Sequence, residues 1–250
     1  MSADRDQGAG RIVLPEIDST NAEGFRRAAM LDGPTWILAG FQTAGRGRRA
    51  RPWESPRGNF HATLVLKPTE PPETVALRSF AAALALRDAC VALTGLPDSF
   101  ALKWPNDVLL NGGKLAGILL ESSSLGTATP VLCIGIGVNL IAAPDATLVE
   151  PGATPPVSLL QETGLRVTPE AFLDALAPSY ARWEATFRSD GFAPLRDAWL
   201  ASAARKGETI RARTGTETRE GVFESIDATG NLILRMTSGP VAIAAAEVFF

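Results

Sequence analysis

Residues 103–121 constrain the fold most, because they predict a turn, a hairpin and a buried strand of one sheet in direct succession. The stretch Lys-Trp-Pro-Asn-Asp at 103–107 puts a proline and two turn formers after an aromatic residue, which predicts a rigid turn that interrupts a strand. Asn-Gly-Gly at 111–113 is a hairpin signal, and a largely apolar strand follows it from Lys114. The segment therefore predicts neighbouring sheet strands, with one lysine at the start of a buried strand.

Helices and further strands flank this segment without any internal repeat, which predicts an α+β chain. Apolar and polar residues alternate at 59–67, as is typical of a sheet strand with two different faces. A long alanine-rich helix follows two prolines, and its apolar residues surround most of its circumference, so we expect it to be buried. The predicted strands are 11–14, 35–40, 59–67, 100–103 with 108–110, 114–121 and 131–140, and the predicted helices are 18–31, 73–93, 168–187 and 192–203.

The pattern changes near residue 205, where helical periodicity gives way to short strands. A run of roughly 45 residues made of short strands and turns predicts a small barrel appended to the main domain. The expected barrel strands are 208–213, 218–226, 231–234 and 241–244. The expected division of the chain is a flexible tail at 1–10, a main domain at 11–204 and a C-terminal domain at 205–250.

Charge and cysteine content exclude several classes of protein. The net charge is −3, with an isoelectric point near 5.4, whereas a protein that binds nucleic acid over its whole surface is usually basic. Residues 1–10 lack a hydrophobic signal region, and no apolar stretch reaches the roughly 18–20 residues that span a bilayer. Cys90 and Cys133 each lie in an apolar run, which indicates buried free thiols and a reducing compartment. We therefore expect a cytoplasmic protein without a membrane segment.

Residues 42–58 form a long loop rich in glycine, proline and arginine, and loops of that length are usually functional or mobile. Glycine lets backbone N–H groups point at an anion, and arginine offers a forked cation that suits phosphate and carboxylate. The loop thus predicts a phosphate or acyl-phosphate clamp, although a solvated basic loop or an RNA contact has the same composition. Trp53 either covers the closed loop or packs its base. The clustered cations and glycines are Gly45, Arg46, Gly47, Arg48, Arg49 and Arg51.

One lysine and several glycines mark the apolar strands that follow. Lys114 stands at the mouth of an expected apolar pocket, where it would meet a negative group; otherwise it is a surface lysine at the end of a strand. Gly117, Gly135 and Gly137 remove side chains from buried strands, which makes room for a flat ligand or a second backbone, or reflects tight packing. Asn139, at a strand end, either binds a nucleotide or caps the turn.

His61 is the sole histidine, and its position in a strand predicts a sheet residue rather than a general base. With one histidine and two isolated cysteines, the chain cannot build a zinc cluster of Cys and His. No nucleophile-elbow pattern accompanies the serines. Counting residues leaves a Ser-His-Asp triad open, but the sequence pattern does not support one.

Four motifs, taken in order, resemble those of biotin protein ligases. They are Ser19-Thr20-Asn21, residues 42–49, residues 103–107 with 114–119, and residues 135–139. The resemblance covers residues 12–139, and the C-terminal strands resemble the small SH3-like domain of that family. It implies a class II synthetase-like catalytic domain, with a mixed sheet flanked by helices, followed by an SH3-like β-barrel.

The resemblance also implies a ligase that forms a carbon–nitrogen bond. Members of the family join biotin and ATP, with Mg²⁺, into biotinyl-5'-AMP. They then pass biotin to a lysine of a biotin carboxyl carrier protein, typically that of acetyl-CoA carboxylase or a related carboxylase. Biotin and ATP are substrates in this reaction, and no tightly bound prosthetic group is implied. The resemblance does not identify the residues that would bind the metal. The oligomeric state is also left open, with a homodimer formed through an edge strand as one alternative.

Individual residues take roles by the same resemblance. Arg48 and Lys114 would be catalytic, with Lys114 at the junction of carboxylate and phosphate. The Ser-Thr-Asn motif would lie against the biotin rings or their entrance. Apart from the resemblance, transfer to the carrier needs a neutral lysine amine, and Asp107 is a candidate base for it. The residues implied to contact biotin or biotinyl-AMP are Ser19, Thr20, Asn21, Gln42, Gly45, Arg46, Gly47, Arg48, Trp53, Lys114, Gly117, Ile118 and Asn139.

This chain departs from the family pattern in two places. Many members have glycine where this chain has Ala50, and alanine restricts a positive φ. Members that double as repressors carry a winged-helix DNA-binding domain before the catalytic one. Only residues 1–10 precede the first predicted strand here, so we expect no binding to DNA.

Two other functions compete with this one. A lipoate–protein ligase shares the fold and reaction type, but it would have an arginine followed by a glycine triplet and a His-Asp pair, and neither is present. An RNA-binding protein could use the arginine loop and the terminal barrel. The acidic isoelectric point and the scarcity of aromatic residues among the basic ones disfavour it.

Overall fold

The computed structural model describes residues 9–123, 130–145, 147, 149–150, 152–215 and 217–250, which form two sheets and six α-helices. The first elements are β1 (Gly10–Leu14), α1 (Thr20–Arg27), β2 (Thr35–Ala39), β3 (Phe60–Leu66), α2 (Pro72–Ala76), α3 (Arg78–Thr94), β4 (Phe100–Lys103), β5 (Asp107–Leu110), β6 (Gly113–Ser123) and β7 (Val131–Val138). The later elements are α4 (Leu159–Thr163), α5 (Pro169–Asp190), α6 (Phe192–Ala201), β8 (Thr209–Thr214), β9 (Glu217–Ile226), β10 (Leu232–Met236), β11 (Gly239–Ile243) and β12 (Glu247–Phe249).

The larger sheet has seven strands in the order β1-β2-β3-β7-β6-β5-β4. β1 and β2 run parallel and the other neighbouring pairs run antiparallel, so the sheet is mixed. The predicted hairpin joins β5 to β6. Asn111 (φ 50°) and Gly112 (φ 82°) adopt the left-handed conformation that a two-residue hairpin turn requires, which explains why these residue types stand there.

Helices cover this sheet on both faces. α3 and α5 bury one face, where Phe60 of β3 is fully buried against Phe172 of α5 with ring centroids 4.9 Å apart. Truncation of such a ring to alanine typically costs about 3–5 kcal/mol of stability. α1 lies on the opposite face, where Ala28 follows it and packs with Val65 and Cys133. The alternation predicted for β3 is therefore confirmed.

The C-terminal strands form an antiparallel sheet in the order β11-β10-β9-β8-β12. Trp199 of α6 packs edge-on against Phe223 of β9, with ring centroids 6.4 Å apart. Trp104, in the turn between β4 and β5, donates from Nε1 to Gly230 O at 3.1 Å. The turn at 103–107 thus holds the C-terminal sheet against the larger one.

Some predicted elements differ from the structure. The helix predicted at 73–93 is two helices, because Leu77 N donates to Thr74 O and closes α2 before α3 begins. α4 and β12 were not predicted. Residues 1–8 of the predicted tail lie outside the described residues. No helix in the described part of the chain is long and apolar enough to cross a membrane.

His61 is buried in β3, and this has a consequence for acid stability. Its Nε2 lies 3.4 Å from Pro56 O, Nδ1 has no hydrogen-bond partner among the described residues, and burial lowers its pKa from 6.5 to about 4. Between these values the unfolded chain binds a proton that the folded chain does not. Stability therefore rises with pH in this window and is lost as the pH falls from 6.5 towards 4.

We expect His61→Gln to flatten this acid dependence, because glutamine does not titrate. Between pH 7 and pH 5 the histidine should cost the wild-type protein about 2 kcal/mol of unfolding free energy. Urea unfolding of both proteins at the two pH values measures the difference. Identical losses in the two proteins would show that His61 is not the titrating group.

Candidate active site

A cavity of about 700 Å³ opens on the face of the larger sheet that carries α1. Distant parts of the chain form its walls: the start of α1, the loop at 42–58, strands β5 to β7, β12 of the C-terminal sheet, and the residues Pro144, Val149, Glu150 and Ala153. No one of these elements encloses the cavity, so the site exists only in the folded chain.

Lys114, near the start of β6, lines this cavity. Its Nζ lies 2.8 Å from Asp107 Oδ1 and 5.8 Å from the ring centroid of Trp53. The side chain is 31% exposed, so the ammonium reaches the cavity while the Asp107 carboxylate fixes its direction. An ammonium has three donors, and an entering anion can therefore bind Lys114 without first displacing Asp107.

Arg48 lines the same cavity from the loop. Its Nη1 donates to Asn106 Oδ1 and to Ala246 O, both at the long distance of 3.4 Å. Burial lowers the pKa of this guanidinium from its ordinary value, and the neighbouring Arg49 adds to the effect. Arg48 thus holds a partly desolvated charge on weak neutral partners, and an anion in the cavity would be a better partner.

Small polar side chains line the cavity at the start of α1. Thr20 donates from N and from Oγ1 to Gln42 Oε1, at 2.8 and 3.1 Å. Asn21 Nδ2 donates to Glu121 Oε2 at 2.8 Å, and the buried Thr63 hydroxyl donates to Asn21 Oδ1. These bonds fix the orientation of both amide side chains before any ligand arrives. Preset donors and acceptors of this kind suit a small polar head group.

The glycines of β6 and β7 make room for side chains. A Cβ at Gly137 would lie 2.5 Å from Trp53 Nε1, and one at Gly117 would lie 3.2 Å from the same ring. A Cβ at Gly135 would lie 2.5 Å from Asn21 Oδ1. Side chains, and not a second backbone, therefore occupy the space beside these three glycines. Trp53 packs against Gly117 and Gly137, and Asn21 packs against Gly135.

The tip of the cationic loop carries backbone strain. Arg49 (φ 57°) and Ala50 (φ 56°) both adopt the left-handed conformation. A residue with a Cβ pays roughly 1 kcal/mol for this conformation, whereas glycine does not. Alanine at position 50 therefore still permits the backbone that glycine would favour, at the cost of some stability in the loop.

Carboxylates hold the other arginines of the loop. Arg46 Nη2 lies 3.3 Å from Glu121 Oε2, and Arg49 Nη1 lies 3.3 Å from Glu247 Oε2. Arg51 forms an ion pair with Glu247 through Nη1 as well. Because Glu247 belongs to β12, the C-terminal sheet restrains the loop that lines the cavity.

Glu247 also binds Arg213 of β8, whose Nη2 lies 2.7 Å from Glu247 Oε2. Arg213 Nη1 in turn lies 2.6 Å from Oε1 of Glu150 in the segment after β7. Burial alone would raise the pKa of Glu247, but the hydrogen bonds from Arg51 and Arg213 outweigh it and hold that pKa below its ordinary value. The network thus joins the loop, the segment at 149–150 and the C-terminal sheet through charged carboxylates.

Comparison with known proteins assigns the family. Residues 13–139 match the Biotin/lipoate A/B protein ligase family, and residues 207–250 match the biotin protein ligase C terminal domain. A biotin–acetyl-CoA-carboxylase ligase of Paracoccus denitrificans is 58% identical over 238 residues, which are 95% of this chain and 99% of that protein. This chain belongs to the biotin protein ligase family.

Other biotin ligases match at lower identity. The biotin protein ligase of Aquifex aeolicus, solved in complex with biotin and ATP, has a TM-score of 0.80 at 24% identity, over 96% of this chain and 97% of that one. The bifunctional ligase/repressor BirA of Bacillus spizizenii is 31% identical, over 95% of this chain and 73% of that protein. The α+β fold predicted for this ligase is confirmed.

The predicted contact residues line the cavity of this ligase, except for two described residues, Gly45 and Asn139. Gly45 O accepts a hydrogen bond from Trp53 N at 2.9 Å and so closes the base of the loop. Asn139 Nδ2 donates to Val157 O at 3.1 Å and holds the segment before α4 against the sheet. Contact of any of the predicted residues with a ligand stays a prediction.

The cavity also contains residues that sequence reasoning did not select. Lys103 and Asn106 lie in the same motif as Asp107, so their position in that motif was an available signal. The residues around Glu247 do not indicate a role in the cavity, because its partner Arg51 is 196 residues away in the chain. The acid partners of the loop are therefore visible only in the folded ligase.

We expect Glu247→Gln to loosen the cationic loop of this ligase. Its side chain is 23% exposed, and removing the charge weakens its bonds to Arg49 and Arg51. A loss of about 1 kcal/mol should speed tryptic cleavage after Arg46, Arg48 and Arg49 roughly fivefold.

Glu224→Gln is the matched control, because Glu224 pairs with Arg235 on the same C-terminal sheet and lines no part of the cavity in the described chain. Mass spectrometry of timed digests identifies the cleavage sites. Equal cleavage rates in the two variants would mean that Glu247 does not restrain the loop.

Proposed function

We propose that this protein uses ATP to attach biotin to a specific lysine of a biotin carboxyl carrier protein, through biotinyl-5'-AMP. One observation carries the proposal: Arg48 and Lys114, from distant segments, line one cavity whose walls also hold the polar start of α1. Such a cavity suits a small acid with a polar head, joined to a nucleotide phosphate. The names of relatives support it, since the Paracoccus protein is a biotin–acetyl-CoA-carboxylase ligase and the Aquifex protein was solved with biotin and ATP.

In the first half-reaction, a carboxylate oxygen of biotin attacks the α-phosphorus of ATP. Pyrophosphate leaves with the electron pair of the broken phosphorus–oxygen bond. Both reactants are anions, so their repulsion contributes much of the barrier. Lys114 and Arg48 would offset that repulsion and stabilise the charge that develops at the α-phosphate. Mg²⁺ would enter as part of the substrate, bound to the phosphate oxygens of ATP.

In the second half-reaction, the amine of the carrier lysine attacks the carbonyl carbon of the mixed anhydride, and AMP leaves. The attacking amine must be neutral. Asp107 is the candidate base, because it lines the cavity beside Lys114. Its carboxylate would serve the first step by orienting Lys114 and the second step by accepting a proton from the amine.

Protection from water is the remaining requirement, because a mixed anhydride hydrolyses readily. The loop is closed at its base by the bond from Trp53 N to Gly45 O, and the Trp53 ring lies over the glycines of the sheet. A loop built in this way would cover the intermediate and exclude water until the carrier arrives.

Biotin-dependent exchange of pyrophosphate with ATP tests the first half-reaction. The protein should exchange with biotin and not with lipoate, and it should then transfer biotin to a purified carrier domain, measured by mass spectrometry. Exchange with lipoate alone would make it a lipoate ligase. Exchange with neither acid would refute the proposal.

The division of the chain into a catalytic domain and a C-terminal domain is also a proposal. We assign catalysis to residues 11–204 and a separate C-terminal unit to residues 205–250, supported by family matches that lie on either side of this boundary. The carrier would be that of acetyl-CoA carboxylase or a related carboxylase. A cytoplasmic location is in keeping with the free, buried Cys90 and Cys133. The homodimer stays a prediction from the sequence.

A further inference from the structure

We propose that Lys103 is a further catalytic residue, which binds the β- and γ-phosphates of ATP and stabilises pyrophosphate as it leaves. The inference rests on the proposed function and adds a third cation to Arg48 and Lys114. Lys103 ends β4, and it lines the same cavity as the other two.

Lys103 is a buried cation that forms no ion pair with the described residues. It is 7% exposed, and its Nζ donates to Thr154 Oγ1 at 2.7 Å. No carboxylate oxygen of the described residues lies within 4 Å of Nζ, whereas Lys114 has such a partner in Asp107. The ring of Phe250, 4.7 Å from Nζ, attracts the charge without neutralising it. Two of the three ammonium donors are therefore left for a ligand in the cavity.

Desolvation makes this arrangement costly in the absence of a ligand. Burial lowers the pKa of Lys103 from its ordinary value, while the nearby Asp107 and Glu247 carboxylates oppose the change. A buried charge is retained in proteins when something compensates it. An anionic ligand group beside Nζ would supply that compensation.

The surroundings of Lys103 carry an excess of positive charge. The three carboxylates of this wall are already bound by other cations, at distances of 2.6 to 3.3 Å or in closer ion pairs, so they do not cancel the lysine. Such an excess suits the terminal phosphates of ATP better than it suits the biotin rings or adenine. The cations are Lys103, Lys114, Arg49, Arg51 and Arg213, and the carboxylates are Asp107, Glu150 and Glu247.

The chemistry gives Lys103 a role distinct from that of Lys114. Lys114 lies beside Trp53 and Asp107, whereas Lys103 lies beside Thr154 and Phe250. When the bond between the α-phosphorus and the bridging oxygen breaks, its electron pair moves onto that oxygen, and pyrophosphate gains negative charge. The Lys103 ammonium would stabilise this charge without transferring a proton, so the step balances without another reactant.

Lys103→Met removes the charge and keeps the length of the side chain. We expect biotin-dependent exchange of pyrophosphate to fall about 100-fold, the size typical for loss of one transition-state donor. The KM for ATP should rise and the Kd for biotin should stay the same. Transfer from synthetic biotinyl-AMP to the carrier should also be unaffected, because pyrophosphate has already left.

Two variants separate this role from a structural one. Thr154→Val removes the same hydrogen bond and leaves the Lys103 charge in place, so it should retain most of the exchange activity. Lys67→Met removes an exposed lysine that lines no part of the cavity in the described chain, and it should behave as wild type. Unchanged exchange in Lys103→Met, or an equal loss in Thr154→Val, would overturn the assignment.

A measurement on the wild-type protein keeps the proposal testable even if Lys103→Met does not fold. Reductive methylation, read by mass spectrometry, should modify Lys103 in the free protein and be suppressed by magnesium pyrophosphate. A Lys103 that does not react in the free protein, or reacts equally with pyrophosphate, would overturn the assignment. Absence of biotin-dependent exchange in the wild-type protein would instead refute the proposed function.

Discussion

Lys114→Ala should slow the formation of biotinyl-AMP by about a thousandfold while leaving the affinity for biotin nearly unchanged. Lys114 Nζ is held 2.8 Å from Asp107 Oδ1 and reaches into the cavity. In the proposed reaction it lies at the junction of carboxylate and α-phosphate. The charge at that junction grows in the transition state, so the lysine should affect the rate more than the binding of biotin.

Single-turnover measurements with biotin and ATP give the rate, and calorimetry gives the Kd for biotin. Lys206→Ala is the control, because Lys206 is exposed and lines no part of the cavity in the described chain. Removal of Lys114 also leaves the Asp107 carboxylate uncompensated, so the double variant Lys114→Ala/Asp107→Asn separates that repulsion from the lost cation. A single-turnover rate equal to that of wild type would contradict the role of Lys114.

Arg48→Ala should release biotinyl-AMP about 30- to 150-fold faster, because a charge-assisted bond to a phosphate is worth roughly 2–3 kcal/mol. This guanidinium has neutral partners at 3.4 Å, and burial lowers its pKa. A bound phosphate would be its natural partner. Loss of Arg48 should therefore affect retention of the intermediate more than the binding of biotin.

The off-rate is measured by forming labelled biotinyl-AMP on the protein and chasing with unlabelled ligand. Arg57→Ala is the matched control, since Arg57 belongs to the same loop but is exposed and pairs with Glu16 at 3.1 Å. If Arg48→Ala retains and forms the intermediate as wild type does, the clamp formed by the loop arginines is not part of the mechanism.

Elements with a clear local pattern were predictable from the sequence. The hairpin at 111–113 was predicted because asparagine and glycine tolerate positive φ. The start of α5 was predicted as well, and Thr168 caps it by accepting a hydrogen bond from Ala171 N. In each case a few neighbouring residues decide the backbone conformation, so the pattern can be read without the fold.

Short elements were not predictable in the same way. α4 has five residues and β12 has three, too few for a period to emerge. β12 exists because Glu247, Val248 and Phe249 pair with β8. Pairing of this kind depends on where distant strands meet, and the local residues of β12 do not specify it.

The sequence by itself determined which chemical groups the site would have: clustered arginines, one lysine beside an apolar strand, and glycines in that strand and its neighbour. Only the tertiary structure decided their partners. Trp53 fills the space that the glycines leave, Glu247 restrains the loop from the far end of the chain, and Lys103 forms no ion pair with the described residues. The physical reason is that Coulomb attraction and packing depend on separation in space, and separation along the chain does not fix it.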